Sequence, residues 1–275
     1  MSGHDTLCTV DVFYGPRAQG NQHHILYRAD PDWYEIPAEH GNTPNLILLS
    51  GGDGVFTAQF FSCGQPTYRC GSGNLAIATY IDEELASAAS NWRLLTDAGE
   101  IQLGVDRQSA YYLDKALAQR PLQNRNFWQR LVRQPVINGR YCGHRNDYVL
   151  LEVSQPLIEL NINSPALRRF SQRALIVVYR PPSGAVQLRY FAPQYGPAED
   201  AATGSASVQA ASYLRQQYPK RYAHQPLQIQ QCSPAGGYLY LTGHQQQTLV
   251  RGRTAVRRKG ANHSSFVYTN IDTKE

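Results

Sequence analysis

The chain has 275 residues, of which 42% are hydrophobic and 17% charged, the proportions of a globular protein with room for two medium domains or one large one. No apolar run nears the ~20 residues that span a bilayer, and "MSGHDTLCTV" lacks the basic flank and apolar core of a signal peptide, so a cytoplasmic protein with no membrane partner is expected. A net charge of +5 is modest, and the five scattered cysteines (Cys8, Cys63, Cys70, Cys142, Cys232) form no CxxC pair, which argues against a disulfide framework or a metal site.

In chain order, "LILLSGGDGVFTAQFF" (46–61) has aliphatic residues, a Gly-containing turn and an apolar/polar alternation ending in two aromatics, the pattern of a β-hairpin. "GSGNLAIATYI" (71–81) then puts Leu75, Ala78 and Ile81 at helical spacing behind a Gly-Ser turn. The polar, Arg-rich "RPLQNRNFWQRLVRQPVINGR" (120–140) reads as a connector, with a short helix around Phe127–Arg133. A second hairpin follows in "LIVVYRPPSGAVQLRYF" (175–191). A second helix follows in "GSASVQAASYL" (204–214), with Val208, Ala211 and Leu214 on one face and Pro219 as its stop. The basic run "RGRTAVRRKG" (251–260) suits a strand with Arg251, Arg253 and Arg257 in solvent, and with no aromatic-stacking or zinc-finger spacing beside it no nucleic-acid partner is expected.

Hairpin and helix thus recur at an offset of nearly half the chain, so the sequence looks like a duplication. It predicts two similar α+β halves, each with a buried helix whose small residues allow close packing on a sheet. Both helices begin at turns rich in Gly, Ser and Thr, where the backbone can approach a ligand and first-turn N–H groups carry partial positive charge. One such turn is an ordinary capped helix start, with Ser72 or Ser205 as N-cap. Two copies that faced each other would form a cradle for a small carboxylate. Cys70 precedes the first turn, and Glu199 and Asp200 precede the second. A thiol and a carboxylate at such a cradle suit proton abstraction beside a carboxylate, whose developing negative charge needs fixed donors. Read separately, Cys70 is equally a small buried hydrophobe and Asp200 a residue that answers the helix dipole.

"RYFAPQYGPAEDAATGSA" (189–206) resembles the signature of the phenazine-biosynthesis PhzF family, R-x-F-x-P followed by E-D-P-A-T-G-S-A. "VDVFYGPRAQGN" (10–21) is similar to that family's opening strand and its G-N pair. "CGSGNLAIA" (70–78) stands where the family has C-G-H-A-T-L-A, and is also similar to the C-G-N-G of diaminopimelate epimerases. "YLYLTGHQQQTLVRGRTAV" (238–256) resembles the closing strands. The resemblance implies a diaminopimelate-epimerase-like α+β fold of two pseudo-symmetric domains, each a sheet wrapped around a central helix, with the active site between them. The expected domains are residues 1–125 with a C-terminal strand at about 262–275, and residues 135–260.

The implied function is that of a cofactor-independent isomerase, epimerase or racemase moving protons on a small carboxylate or amino acid. In this sequence the expected catalytic residues are Cys70, Asp200 and Glu199, and the expected substrate-binding residues are Asn21, Gly71, Ser72, Gly73, Thr203, Gly204 and Ser205. The exposed sheets of such a fold leave a homodimer open. His23 and His24, just after Asn21, are expected on the surface. Three positions depart from the family: Ser72 stands for its His, Ala201 for its Pro, and Thr43-Pro44-Asn45 for the segment with its catalytic glutamate, the nearest acid being Glu39. The missing glutamate raises an alternative, a non-catalytic small-carboxylate-binding paralogue.

Overall fold

The computed structural model describes residues 7–30, 35–107, 109–195 and 198–257, and the strand expected near 262–275 lies outside them. In chain order the elements are β1 (Cys8–Tyr14), β2 (Asn21–Arg28), β3 (Leu46–Gly52), β4 (Val55–Ser62), β5 (Gln65–Thr67), α1 (Gly71–Glu83), β6 (Asn91–Thr96), β7 (Gly99–Val105) and β8 (Ala110–Asp114). There follow β9 (Gln119–Pro121), α2 (Arg125–Val132), β10 (Val136–Cys142), β11 (Tyr148–Val153), α3 (Ser164–Phe170), β12 (Ala174–Tyr179) and β13 (Val186–Phe191). The last elements are α4 (Gly204–Gln217), α5 (Pro219–Tyr222), β14 (Leu227–Gln231), β15 (Gly237–His244), β16 (Gln247–Arg251) and β17 (Arg253–Arg257). Both expected hairpins form, as β3–β4 and β12–β13.

The chain divides into two units, one of residues 1–14, 20–114 and 251–275, the other of residues 15–19 and 115–250. The segment 115–125, expected with the first domain, groups with the second unit, and the strand that returns to the first is β17.

In the first unit the strands pair in the order β17, β1, β2, β3, β4, β6, β7, β8. The β2–β3 and β4–β6 pairs are parallel and the others antiparallel. Helix α1 touches β17, β1 and β2 and also β7 and β8, so strands from both ends of this order meet the same helix and the sheet curls around it. Every residue from Ser72 to Ile81 is buried. A helix enclosed on all sides needs no polar face, which explains why small and apolar residues fill every turn rather than one stripe. Gly73 permits this packing. A Cβ there would stand 2.7 Å from the Phe60 ring and 3.0 Å from the Cys70 sulfur.

The second unit runs β9, β10, β11, β12, β13, β14, β15, with β11–β12 and β13–β14 parallel and the others antiparallel. All six residues of β11 are buried, as a strand covered on both faces requires. Val149, Leu151 and Val153 join a core with Trp128 and Leu131 of α2 and Leu167 of α3. The alternate residues meet α4: the Tyr148 hydroxyl donates to Ser205 Oγ at 3.1 Å, and the Tyr213 hydroxyl donates to Glu152 at 2.6 Å. Glu152 has no exposed surface, so its charge must be satisfied internally. Arg180 Nε donates to it at 2.6 Å and the Tyr218 hydroxyl at 2.8 Å, and together these bonds pin the C-terminal end of α4.

The basic run does not lie as one exposed strand. Arg251 ends β16, and its side chain is buried: Nη1 donates to Asp106 at 2.8 Å and to the Ser109 carbonyl at 3.0 Å. Arg253 and Arg257 belong to β17, where Arg257 pairs with Asp11 at 2.6 Å. The alternation that put Arg251 in solvent fails because Gly252 breaks the strand between the two registers. Arg251→Ala should therefore lower stability by about 1–3 kcal/mol, the cost of removing a buried side chain and the hydrogen bonds it gives to the Ser109 carbonyl and to Asp106. Arg253→Ala should stay within about 0.5 kcal/mol. Urea unfolding midpoints check this, and equal effects would refute the assignment.

Candidate functional site

The first cluster is built at the start of α1. Cys70, extended at φ −141°, is the N-cap, and its sulfur accepts the Gly73 N–H at 3.3 Å. The capping atom is thus sulfur rather than the Ser72 hydroxyl. That hydroxyl is a junction instead: it lies 2.9 Å from His23 Nε2, 3.6 Å from Cys70 Sγ and 3.4 Å from Asn21 Nδ2, which donates to it. Asn21 opens β2 immediately after Gly20, whose φ of +67° and 2.1 Å approach of a notional Cβ to the Val12 carbonyl demand glycine. Gly20 therefore sets where Asn21 enters the strand. Asn74 is also buried in this first turn, and its Oδ1 has no hydrogen-bond partner among the described residues.

His23 is not on the surface. Its exposure is 2%, because residues 21 and 23 of a strand share one face and that face is turned to α1. Burial holds its imidazole down at about pH 4, His24 adding to the shift, and its Nδ1 has no hydrogen-bond partner among the described residues. His23 is therefore neutral at physiological pH. His24 is half-buried, its ring 3.0 Å from Thr9 Oγ1, and its pKa is also lowered, chiefly by burial.

The second cluster precedes α4. Thr203 is the N-cap, but its hydroxyl donates to Asp200 Oδ2 instead of capping the helix. Gln231, at the end of β14 and 1% exposed, clamps the turn from both sides. Its Oε1 accepts the Thr203 N–H at 2.8 Å and its Nε2 donates to the Asp200 carbonyl at 2.7 Å. The Ser233 hydroxyl donates to the Ala201 carbonyl at 2.7 Å. The N–H groups of Gly204, Ser205 and Ala206 lie in the first helical turn and so have no acceptor within the helix. Glu199 is engaged elsewhere: both its oxygens receive Arg189, at 2.6 and 2.5 Å, and Arg189 Nη1 also donates to the Leu160 carbonyl at 2.6 Å.

Of the expected residues, the first unit gathers Asn21 and Cys70 around the Ser72 hydroxyl, with the Gly73 N–H on the Cys70 sulfur and Gly71 opening the helix. The second gathers Asp200 and Thr203 at one turn, with Gly204 and Ser205 opening α4. Sequence reasoning missed His23, which the strand period from Asn21 could have supplied. It also missed Gln231, Ser233 and Tyr148, which arrive from other strands and carry no local signal. Glu39 is exposed in a 3-10 turn, and Asn45 sits at a positive φ of 46° just ahead of β3.

The depressed His23 pKa fixes a pH dependence. The unfolded state binds a proton near pH 6.5 that the folded state refuses until about pH 4. Stability should therefore be full above pH 6.5 and fall by about 3 kcal/mol between 6.5 and 4. Urea unfolding across that range should show the slope in the native protein and a flatter one in His23→Leu. An equal slope in both would contradict the burial of a neutral imidazole.

The chain is 26% identical over 260 residues to an uncharacterized isomerase of Vibrio cholerae, covering 90% of this chain and 87% of that protein. The crystal structure of a putative phenazine biosynthesis PhzC/PhzF protein from Clostridium difficile superposes with a TM-score of 0.74 at 17% identity, over 94% of this chain and 99% of that one. A hydroxyproline epimerase from Agrobacterium vitis, solved with bound trans-4-hydroxy-L-proline, shares the fold at a TM-score of 0.53 and 12% identity, over 92% of this chain and 91% of that one. These relatives support an isomerase. Since the profile of the phenazine biosynthesis-like PhzC-PhzF proteins matches residues 42–260, most of its length, the chain belongs to that family.

Proposed function

We propose that the protein is a proton-transfer isomerase, an epimerase or racemase, acting on a small amino acid or related carboxylate, with Cys70 and Asp200 as its acid/base groups. One observation carries this reading: each of these side chains stands at the N-terminus of a buried helix, Cys70 as the cap of α1 and Asp200 bonded to the cap of α4. First-turn N–H groups stabilise the negative charge that grows on a carboxylate substrate when its α-proton leaves. Glu199 anchors the turn through Arg189, and Asp200 is the acid that works. Gly71, Gly204 and Ser205 hold the carboxylate through their backbone N–H groups, Gly73 N–H being taken by the Cys70 sulfur, and this chemistry invokes no cofactor.

A duplicated origin supports two helix starts serving one substrate. In each unit two antiparallel pairs are followed by a parallel, an antiparallel, a parallel and an antiparallel pair, and the helix falls between the same two strands, β4 and β6 or β13 and β14. The epimerase relative's bound amino acid supports the substrate class.

The absence of an acid at Thr43-Pro44-Asn45 favours a second reading, a carboxylate-binding protein without catalysis. Incubation in deuterated buffer with a panel of amino and hydroxy acids separates the two. The isomerase should incorporate deuterium at Cα, and Cys70→Ser and Asp200→Asn should each slow incorporation by about two orders of magnitude or more, the scale of a lost acid/base group. No incorporation with any acid, together with thermal stabilisation by one of them, would instead establish the binding protein.

A further inference from the structure

The second unit carries a basic hollow on the face of its sheet turned away from α4. In the β9–β10 pair Gln119 stands opposite Cys142, Arg120 opposite Tyr141 and Pro121 opposite Arg140. Gln119 Nε2 donates to the Gln209 carbonyl of α4 at 3.1 Å, and the Arg140 guanidinium lies 5.8 Å from the Tyr213 ring of the same helix. Alternation therefore turns Arg120 and Tyr141 to the other face. With Pro121, Gln123 and Arg173 they line a cavity of about 500 Å³.

The turn after β10 holds both guanidiniums. Arg173 Nη1 donates to the Cys142 carbonyl at 3.2 Å and to the Tyr148 carbonyl at 3.1 Å, and the guanidinium lies 5.1 Å from the Tyr141 ring. Arg120 Nη2 donates to the Gly143 carbonyl at 3.4 Å. Carbonyls of consecutive residues thus hold the two side chains, so the two cations are neighbours. Nη1 of Arg173 gives both its hydrogens to these carbonyls, while its Nε and Nη2 hydrogens have no partner among the described residues. No carboxylate lines the cavity, and neither arginine belongs to an ion pair among the described residues. The acid that acts on Arg173 is Asp147, whose Oδ2 is taken by the His144 N–H at 2.7 Å. Burial holds Arg173 below its usual pKa and Arg120 adds to the shift, Asp147 opposing it. Two like charges side by side repel, and an anion between them removes that repulsion.

We propose that Arg120 and Arg173 form a binding site for the phosphate dianion of a small phosphomonoester. Two cations with no facing carboxylate are matched by a charge of about −2, which a phosphomonoester carries above its second pKa of about 6. That charge sits on one compact group, as guanidiniums held by adjacent carbonyls require, and their planar forks of N–H donors match its oxygens. The organic part of the ester lies over Pro121 and Gln123, the exposed end of the cavity. All of these residues belong to the second unit, and none is among the proposed acid/base groups, so the site stands independently of the isomerase reading.

Titration of the full chain with inorganic phosphate at pH 7.5 and constant ionic strength, followed through the arginine Nε–H signals by NMR, tests the site. The Arg120 and Arg173 signals should shift together with a single Kd, and glycerol phosphate should bind with similar affinity. Arg120 is exposed, so Arg120→Gln leaves the fold intact. Phosphate binding read at Arg173 should then weaken by about 10- to 100-fold, the effect of lost charge-assisted hydrogen bonds. Lys220→Gln, an equal loss of charge at an exposed residue elsewhere in the unit, should change it by less than about twofold. Dimethyl phosphate, with one negative charge, and succinate, whose two charges sit on separate carboxylates, should each bind at least about tenfold more weakly. Phosphate shifts absent from both arginines, or equal losses in Arg120→Gln and Lys220→Gln, would overturn the site. Dimethyl phosphate binding as tightly as phosphate would refute the dianion in favour of a diester backbone, and succinate doing so would refute the phosphate.

Discussion

A helix enclosed on every side brings its first-turn N–H groups into the protein interior, where they must find acceptors. In the first unit this constraint organises the candidate site. Because α1 is buried from Ser72 onward, its cap comes from Cys70, and the polar residues beside it come from β2, the strand that Gly20 starts and that lies against the helix. The requirement that closes the core also puts a thiol, a hydroxyl, an amide and an imidazole within one network. In the second unit the same requirement is met by Gln231, whose amide takes the N–H of the cap and holds the Asp200 carbonyl. Cys70 and Asp200 are held by the bonds that make their helix starts tolerable inside the protein.

Within the second unit, charge is handled differently from one carboxylate to the next. Glu152 is fully buried and answered by an arginine and two tyrosines, whereas Glu199 is bound on both oxygens by a single arginine. Both arrangements answer the charge with hydrogen bonds from cationic or phenolic donors. Asp200, three residues before the cap of α4, differs in receiving a hydroxyl from Thr203, a bond that orients the carboxylate without neutralising it. This contrast separates two acids that are adjacent in the sequence. His23 is a third case, a titratable group kept neutral by burial and left with a hydrogen-bonding role.

Much of the fold was legible in the sequence, for physical reasons that particular residues illustrate. Gly-containing turns between alternating runs specify hairpins, and β3–β4 and β12–β13 form there. Leu75, Ala78 and Ile81 announce a helix, although the spacing pointed to one buried face and the helix is buried all round, which small residues at the other positions allow. Cys70 and Asp200 could be picked out because they flank helix starts. What stayed hidden depended on pairing between strands: Gln231 reaches Thr203 only because β14 lies beside β13. Arg251 was misplaced because alternation was carried through Gly252, where the strand breaks, and the arginine turned inward to Asp106. His23 was misplaced because two adjacent histidines look like a surface pair, while strand alternation sends one inward and leaves the other half-buried.

The central proposal is that the turn at Cys70 and the turn at Asp200 serve one carboxylate. It is tested most directly by titrating the protein with a planar α-carboxylate, a mimic of the deprotonated substrate, while following backbone amide signals by NMR. The account predicts that the amides of Gly71, Ser72 and Gly73 and those of Gly204 and Ser205 shift together and fit a single Kd. Shifts confined to one of these turns, or two sets with different Kd values, would contradict it.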